Sequence, residues 1–397
     1  LMLDLDSVIS YCEGIVESGE DSAVLQAMND SIAALELGEE KTAQYQEQLR
    51  TAFSDSFLSA YQDILDTMRE LQSSGENNEQ GLAQFEYGKE YYALLLQQSI
   101  GSNKTPEEVK AMMEEAFNEH LQQLQMYAMA YPEETEEVLS QDLPKTGYTS
   151  YDEILQDLQG KIFDSFPQVE DLSYQIEDVN EGIASDSGVA AYFNIPSLDG
   201  DTVKQLRVNP NNAGVDSIDT FSTVAHEGFP GHMYQYAYMY ENIDSNFIKA
   251  LANVGAYTEG FAVYAQYESL QYLEGISQEL LDVYREYELL TYCLVIAADI
   301  GIHYEGWSLQ EFEDYFTEMG LSIGSGDALY QQLQANPAVF ETYYVGYHEI
   351  MDLREKAEDA LGNAFDEKAF NEALLESGTA PFSVVERHID AYIESAS

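Results

Sequence analysis

The sequence predicts a mainly α-helical protein with a small β-hairpin or sheet set just ahead of a metal-binding helix. Three observations carry this. Up to about residue 170 the chain repeats amphipathic helical patterns with clear start signals, from Gly188 to Asn209 it switches to strand-like alternation, and from His226 onward helical patterning returns. With 397 residues and 45% hydrophobic content the chain can bury a sizeable core. It divides into a helical N-terminal region, 1–180, and a metal-binding region, 181–397, read together as one continuous fold.

In the N-terminal region, Thr105-Pro106-Glu107-Glu108 combines a capping box with proline at the first helical position, and Ser150 with Glu153 forms a second box. The polar stretch from Ser73 to Gly81 and the segment Leu143-Pro144-Lys145-Thr146-Gly147 read as loops. The runs Val189–Ile195 and Val203–Val208 flank Asp199-Gly200-Asp201, the pattern of a hairpin. A third box, Ser308 with Glu311, opens a later helix.

The chemistry concentrates in His226-Glu227-Gly228-Phe229-Pro230-Gly231-His232. Neutral imidazole is a strong zinc ligand, and a glutamate directly after the first histidine is where the helical zinc-protease motif places its general base. The usual second histidine stands four positions on, about 40° around the helix, whereas six positions place it about 120° away. Pro230 would break the bond to the His226 carbonyl and Gly231 would absorb the distortion, so the helix is expected to bulge or bend there and bring the two rings together. A catalytic zinc normally has three protein ligands, so one zinc ion needs another from a separate element. Glu259, among small and apolar neighbours in Thr258–Ala265, is the candidate, against the plainer reading of a helix-start acid. Downstream, Asp299 and His303 share a helical face inside an apolar run. Asp299 is expected to orient the ring of His303, which would stabilise an oxyanion, unless the two are a hydrogen-bonded core pair. His120, His348 and His388 read as surface or structural residues.

Taken in order, HEGFPGHMYQ, TEGFAVYAQ, DIGIHYEGW, the Tyr343–Gly346 segment with Leu353-Arg354, and LGNAFDEKAF followed by Gly378 and Pro381 resemble the bacterial family catalogued as domain of unknown function 885. The match is collinear over residues 185–397 and extends more loosely to KTPEEVKAMMEEAF near residue 104. Those proteins look like zinc-dependent peptidases. The resemblance implies a helical fold akin to the glutamate-ligand zinc peptidases (gluzincins), with His226, His232 and Glu259 as metal ligands, Glu227 as base, and His303 and Tyr343 as substrate or oxyanion contacts. Many relatives carry a second histidine where Met233 stands and an acid where Gln266 stands. The function expected is peptide hydrolysis by a zinc-activated water. A hydrolase of other amides or esters, or a noncatalytic acidic binding protein, remains an alternative.

Against 73 acidic residues stand 16 Lys and Arg, a formal net charge of −57 that repels phosphate backbones and anionic lipid. Nucleic acid is therefore excluded as a partner, and the charge reads as a device for solubility rather than for selecting substrates. The longest apolar stretch, Tyr292–Ile302, is too short to span a bilayer, so no integral membrane segment is expected. Cys12 and Cys293 read as buried thiols. Relatives are often secreted or lipid-anchored, and with the acidity this favours an extracellular or cell-surface location over the cytoplasm. The opening on Leu1 fits a processed chain. Oligomeric state is not specified.

Overall fold

The computed structural model describes residues 2–75, 80–179, 190–198, 203–212, 214–251, 253–321 and 326–396. Residues 76–79 of the polar loop, Val189 and the expected hairpin turn Asp199-Gly200-Asp201 lie outside them. The N-terminal helices are α1 (Met2–Ser18), α2 (Ala23–Ala34), α3 (Glu39–Ala52), α4 (Ser59–Ser74), α5 (Gly88–Ile100), α6 (Pro106–Ala130), α7 (Pro132–Leu139) and α8 (Tyr151–Lys161). α1 and α4 enclose a small cluster of Ile9, Cys12 and Leu65, while one large core runs from Tyr92 to Tyr392. The capping boxes at Thr105 and Ser308 form in full. At Ser150 the hydroxyl caps Glu153, but the Glu153 carboxylate reaches past it to Thr149, so only half of that box forms.

Three strands follow: β1 (Tyr174–Asp178), β2 (Ala191–Asn194) and β3 (Lys204–Val208), in the order β1-β3-β2. β2 and β3 pair antiparallel as the alternation predicts. β1, parallel to β3, falls in the stretch expected to be helical. Gln175 and Asp178 are exposed and the other three residues half-buried, with Ile176 and Glu177 adjacent, so the strand does not alternate cleanly and the period-two signal is hidden.

The second half is α9 (Ile218–Glu227), α10 (His232–Asn242), α11 (Asn246–Leu251), α12 (Gly255–Ser269), α13 (Gln278–Ile300), α14 (Leu309–Glu318), α15 (Gly326–Ala335), α16 (Glu341–Leu361), α17 (Glu367–Leu375) and α18 (Phe382–Ala396). α12 crosses α16 at Gly260 and Gly346, where a Cβ on Gly346 would lie 1.7 Å from the Ala256 carbonyl oxygen. Only paired glycines allow backbones this close. That crossing sets the start of α12, which carries Glu259, beside the start of α16, which carries Tyr343.

Candidate metal centre

α9 starts on a Ser217 cap and ends at Glu227, and a new helix starts at His232. The expected bent helix is thus two helices joined through Gly228-Phe229-Pro230-Gly231, with a cis Phe229–Pro230 bond. The Gly231 N–H reaches back to the Ala225 carbonyl at 2.9 Å, and a Cβ on Gly231 would stand 1.8 Å from the His226 oxygen. Proline, lacking an N–H and crowding the preceding turn, stops the helix outright, and glycine permits the close reversal.

The outcome is convergence. The rings of His226 and His232 lie 4.8 Å apart at 89°, and the Nε2 of each stands 3.3 Å from the same Glu259 Oε2. Ligand atoms about 2.0–2.1 Å from a tetrahedral zinc are separated from one another by about 3.3–3.4 Å, so this spacing fits such an ion. Donor atoms of the three residues all lie within 4.8 Å of one another, the one such group among the described residues. Burial alone would push the Glu259 carboxyl up, but the two imidazoles override it and bring its pKa down to about 2. Burial likewise opposes charge on His232, and the Glu259 carboxylate outweighs it and raises the histidine. Metal binding requires both imidazoles to present an unprotonated Nε2 and would release a proton held there.

Around these groups, His226 Nδ1 donates to Gln266 Oε1 at 3.2 Å, leaving Nε2 free of its proton to face the centre. Gln266 therefore orients the imidazole. Met233 is fully buried and apolar. Glu227 Oε2 accepts the Phe193 N–H at 2.8 Å. Because the Asn209 N–H donates to the Ala190 carbonyl, residues 192 and 194 point their backbone groups at β3, and 191 and 193 point theirs outward. The open edge of β2 thus faces the centre. The Tyr343 ring stacks on His226 (6.1 Å, 26°) and on Tyr292 (6.2 Å, 16°), and burial, reinforced by Glu259 and Glu227, raises its pKa so that it keeps its proton.

Sequence reasoning missed Tyr236. It follows His232 by one helical turn, its ring lies 5.8 Å from Phe193, and burial with the charges of Tyr240 and Glu259 brings its pKa up to about 12. The spacing from His232 was the available signal, lost among 30 tyrosines.

Two expectations are corrected. His303 lies in a π-helical turn, Gly301–Glu305, and both ring nitrogens are taken by backbone: Leu82 N–H donates to Nδ1 at 3.1 Å, and Nε2 donates to the Leu333 carbonyl at 2.9 Å. Burial lowers its pKa and keeps it neutral, with no N–H left for an oxyanion. Asp299 does not orient that ring. Its Oδ1 is 3.6 Å from His303 Nε2, while Oδ2 accepts from Tyr92 at 2.8 Å and from the Ala338 N–H at 3.1 Å. The remaining histidines pair with Glu286 and Tyr344 (His120), Asp352 (His348) and Glu376 (His388). Cys12 and Cys293 are buried free thiols.

The chain matches the family described as bacterial protein of unknown function (DUF885) over residues 3–389, and it belongs to that family. No curated protein matches it by sequence. It is similar in fold to a crystal structure from Colwellia psychrerythraea, described as a "putative lipoprotein", with TM-score 0.82, 20% identity, and coverage of 98% of this chain and 70% of that one. A second similar structure, from Shewanella oneidensis, is described as a "putative lipoprotein of unknown function", with TM-score 0.63, 17% identity, and coverage of 96% and 72%.

Proposed function

We propose that this member of the family is a zinc-dependent hydrolase of peptide bonds, with a fold akin to the glutamate-ligand zinc peptidases. The observation that carries the reading is the meeting of His226 and His232 on one oxygen of Glu259, with Glu227 directly beside them. A zinc ion held by those three residues would supply Lewis acidity toward a carbonyl and bring the pKa of water to about 7. Glu227 takes the proton from the attacking water and passes it to the leaving amine. The substrate backbone adds to the open edge of β2, and the Phe193 N–H, released by Glu227, turns to a substrate carbonyl. One exchange thus frees the base and seats the peptide. The Tyr343 hydroxyl donates to the developing oxyanion, a contribution of about 2.7–4 kcal/mol for a donor of this kind.

An extracytoplasmic location accords with the lipoprotein descriptions of the two structural neighbours, with the acidic surface and, among the described residues, with the lack of any helix long and apolar enough to cross a membrane. The test of the mechanism is Glu227→Gln. The variant is expected to retain one zinc per chain by metal analysis and to lose about 10²–10⁴-fold in peptide turnover. Unchanged turnover would refute the base.

A further inference from the structure

A further pair of carboxylates lies beyond the metal ligands, between α9 and α13. On α9 the residues Asp219, Thr223 and Glu227 recur at helical spacing and form its open strip, whereas Ser222 and His226 are buried. Facing them, α13 presents Tyr284, Glu288 and Tyr292 along one face, and Tyr292 stacks on Tyr343, which stacks on His226. A continuous wall therefore runs from the metal centre to Glu288 and Asp219. Asp219 precedes His226 by seven residues, about 10 Å along the helix, or about three residues of extended peptide.

Glu288 is anomalous for a carboxylate in this position. Among the described residues it has neither a hydrogen bond nor an ion pair. Arg285, one turn away, is committed to Asp282 and Glu286. Among the described residues the Asp219 carboxylate is bonded only by the Tyr284 hydroxyl at 2.8 Å and has no cation either. A second group points to an absent ligand: the Tyr267 hydroxyl is buried, its residue 4% exposed, without a partner among the described residues, and its electrostatic neighbours are Tyr292, Glu288, Tyr284 and Tyr347. Burial, with Asp219 nearby, pushes the Glu288 carboxyl up to about 7. Among the described residues no basic side chain pairs with either carboxylate, so an external cation would meet no competitor there.

We propose that Glu288 and Asp219 form a substrate subsite that receives an organic cation, the ammonium or guanidinium group of a basic residue within about three positions of the scissile bond. Seated there, the cation pairs with Glu288, is flanked by the ring of Tyr292, and offers an N–H to the Tyr267 hydroxyl. This deepens the hydrolase reading and rests on it. It is a local property, separate from the overall acidity of the surface.

The experiment uses internally quenched, alanine-rich peptides that carry Arg, Gln or Glu at each of the three positions on either side of the cleavable bond, with the zinc-loaded full chain. At one position the Arg peptide is expected to exceed its Gln counterpart about tenfold in kcat/KM, and Glu288→Gln is expected to bring that ratio near one, while Glu318→Gln, at an exposed site elsewhere, leaves it unchanged. A wild-type ratio near one at every position, or a preference that persists in Glu288→Gln, overturns the subsite. Should no peptide be cleaved, the hydrolase reading fails, and fluorescence anisotropy of the same peptides on the same proteins decides the subsite. An Arg preference abolished by Glu288→Gln upholds it, and equal binding of Arg and Gln peptides overturns it.

Discussion

His226 and His303 are both buried, at 8% and 1% exposure, each within 4 Å of a carboxylate and each on or beside a helix end. Their surroundings differ in what is left over. At His226 one ring nitrogen is held by Gln266, and the other points at an oxygen shared with His232, leaving lone pairs directed at a common point. At His303 both nitrogens close on backbone, and the Tyr92 hydroxyl lies 2.8 Å from one oxygen of each nearby acid, Asp299 and Glu341. The difference teaches that residue type and spacing do not separate a ligand histidine from a structural one. The fate of the second ring nitrogen does.

The sharpest test is metal retention. Wild-type protein is expected to hold one zinc per chain, and free zinc at 1,000 times its dissociation constant to raise folding stability by about 4 kcal/mol. Glu259→Gln removes the shared carboxylate and is expected to abolish both the stoichiometric zinc and this gain, with hydrolysis at background. His303→Ala should keep the zinc and the gain. Zinc measured in Glu259→Gln at the wild-type level, or lost from His303→Ala, would erase the distinction between the clusters.

Next in size is stability at the second cluster. His303→Ala leaves the Leu82 N–H and the Leu333 carbonyl without partners in a buried setting, about 1–3 kcal/mol each, so urea denaturation of the metal-free protein is expected to show a loss of about 2–6 kcal/mol. A loss below about 1 kcal/mol would mean that water replaces the ring, and that this cluster is more open than its geometry implies.

Much of this was legible in the residues. Helix starts at Thr105 and Ser308 follow from local hydrogen bonds between neighbours in sequence, which is why their capping boxes appear as expected. The grouping of His226 and His232 was legible because proline and glycine announce a break, although a bend was expected where the helix actually ends and restarts. Glu259 was legible from the cost of placing a charge among apolar neighbours. The role of His303 was not, because its partners Leu82 and Leu333 are distant backbone groups with no side-chain signature. The same holds for Gln266, whose contact with His226 depends on how α12 packs against α9.

The smallest effect concerns the acids themselves. Tyr92 Oη lies 2.8 Å from both Asp299 Oδ2 and Glu341 Oε1, and its single proton can serve only one of them, so a second proton belongs to the pair. Burial, compounded for Asp299 by the facing Glu341, raises both carboxyls above their ordinary values. With folded pKa values above the unfolded ones, the stability contributed by that proton is full below the unfolded carboxylate range of about 3.9–4.3 and is lost as pH rises through the raised folded values. Glu341→Gln supplies an amide N–H in place of the acid O–H and lets Asp299 ionise opposite two donors. The variant is therefore expected to lose less stability than wild type between pH 5 and pH 8, a difference of about 1 kcal/mol by urea denaturation. Parallel pH profiles for the two proteins would show that no proton is shared there, and the contrast with the open metal cluster would then rest on His303 alone.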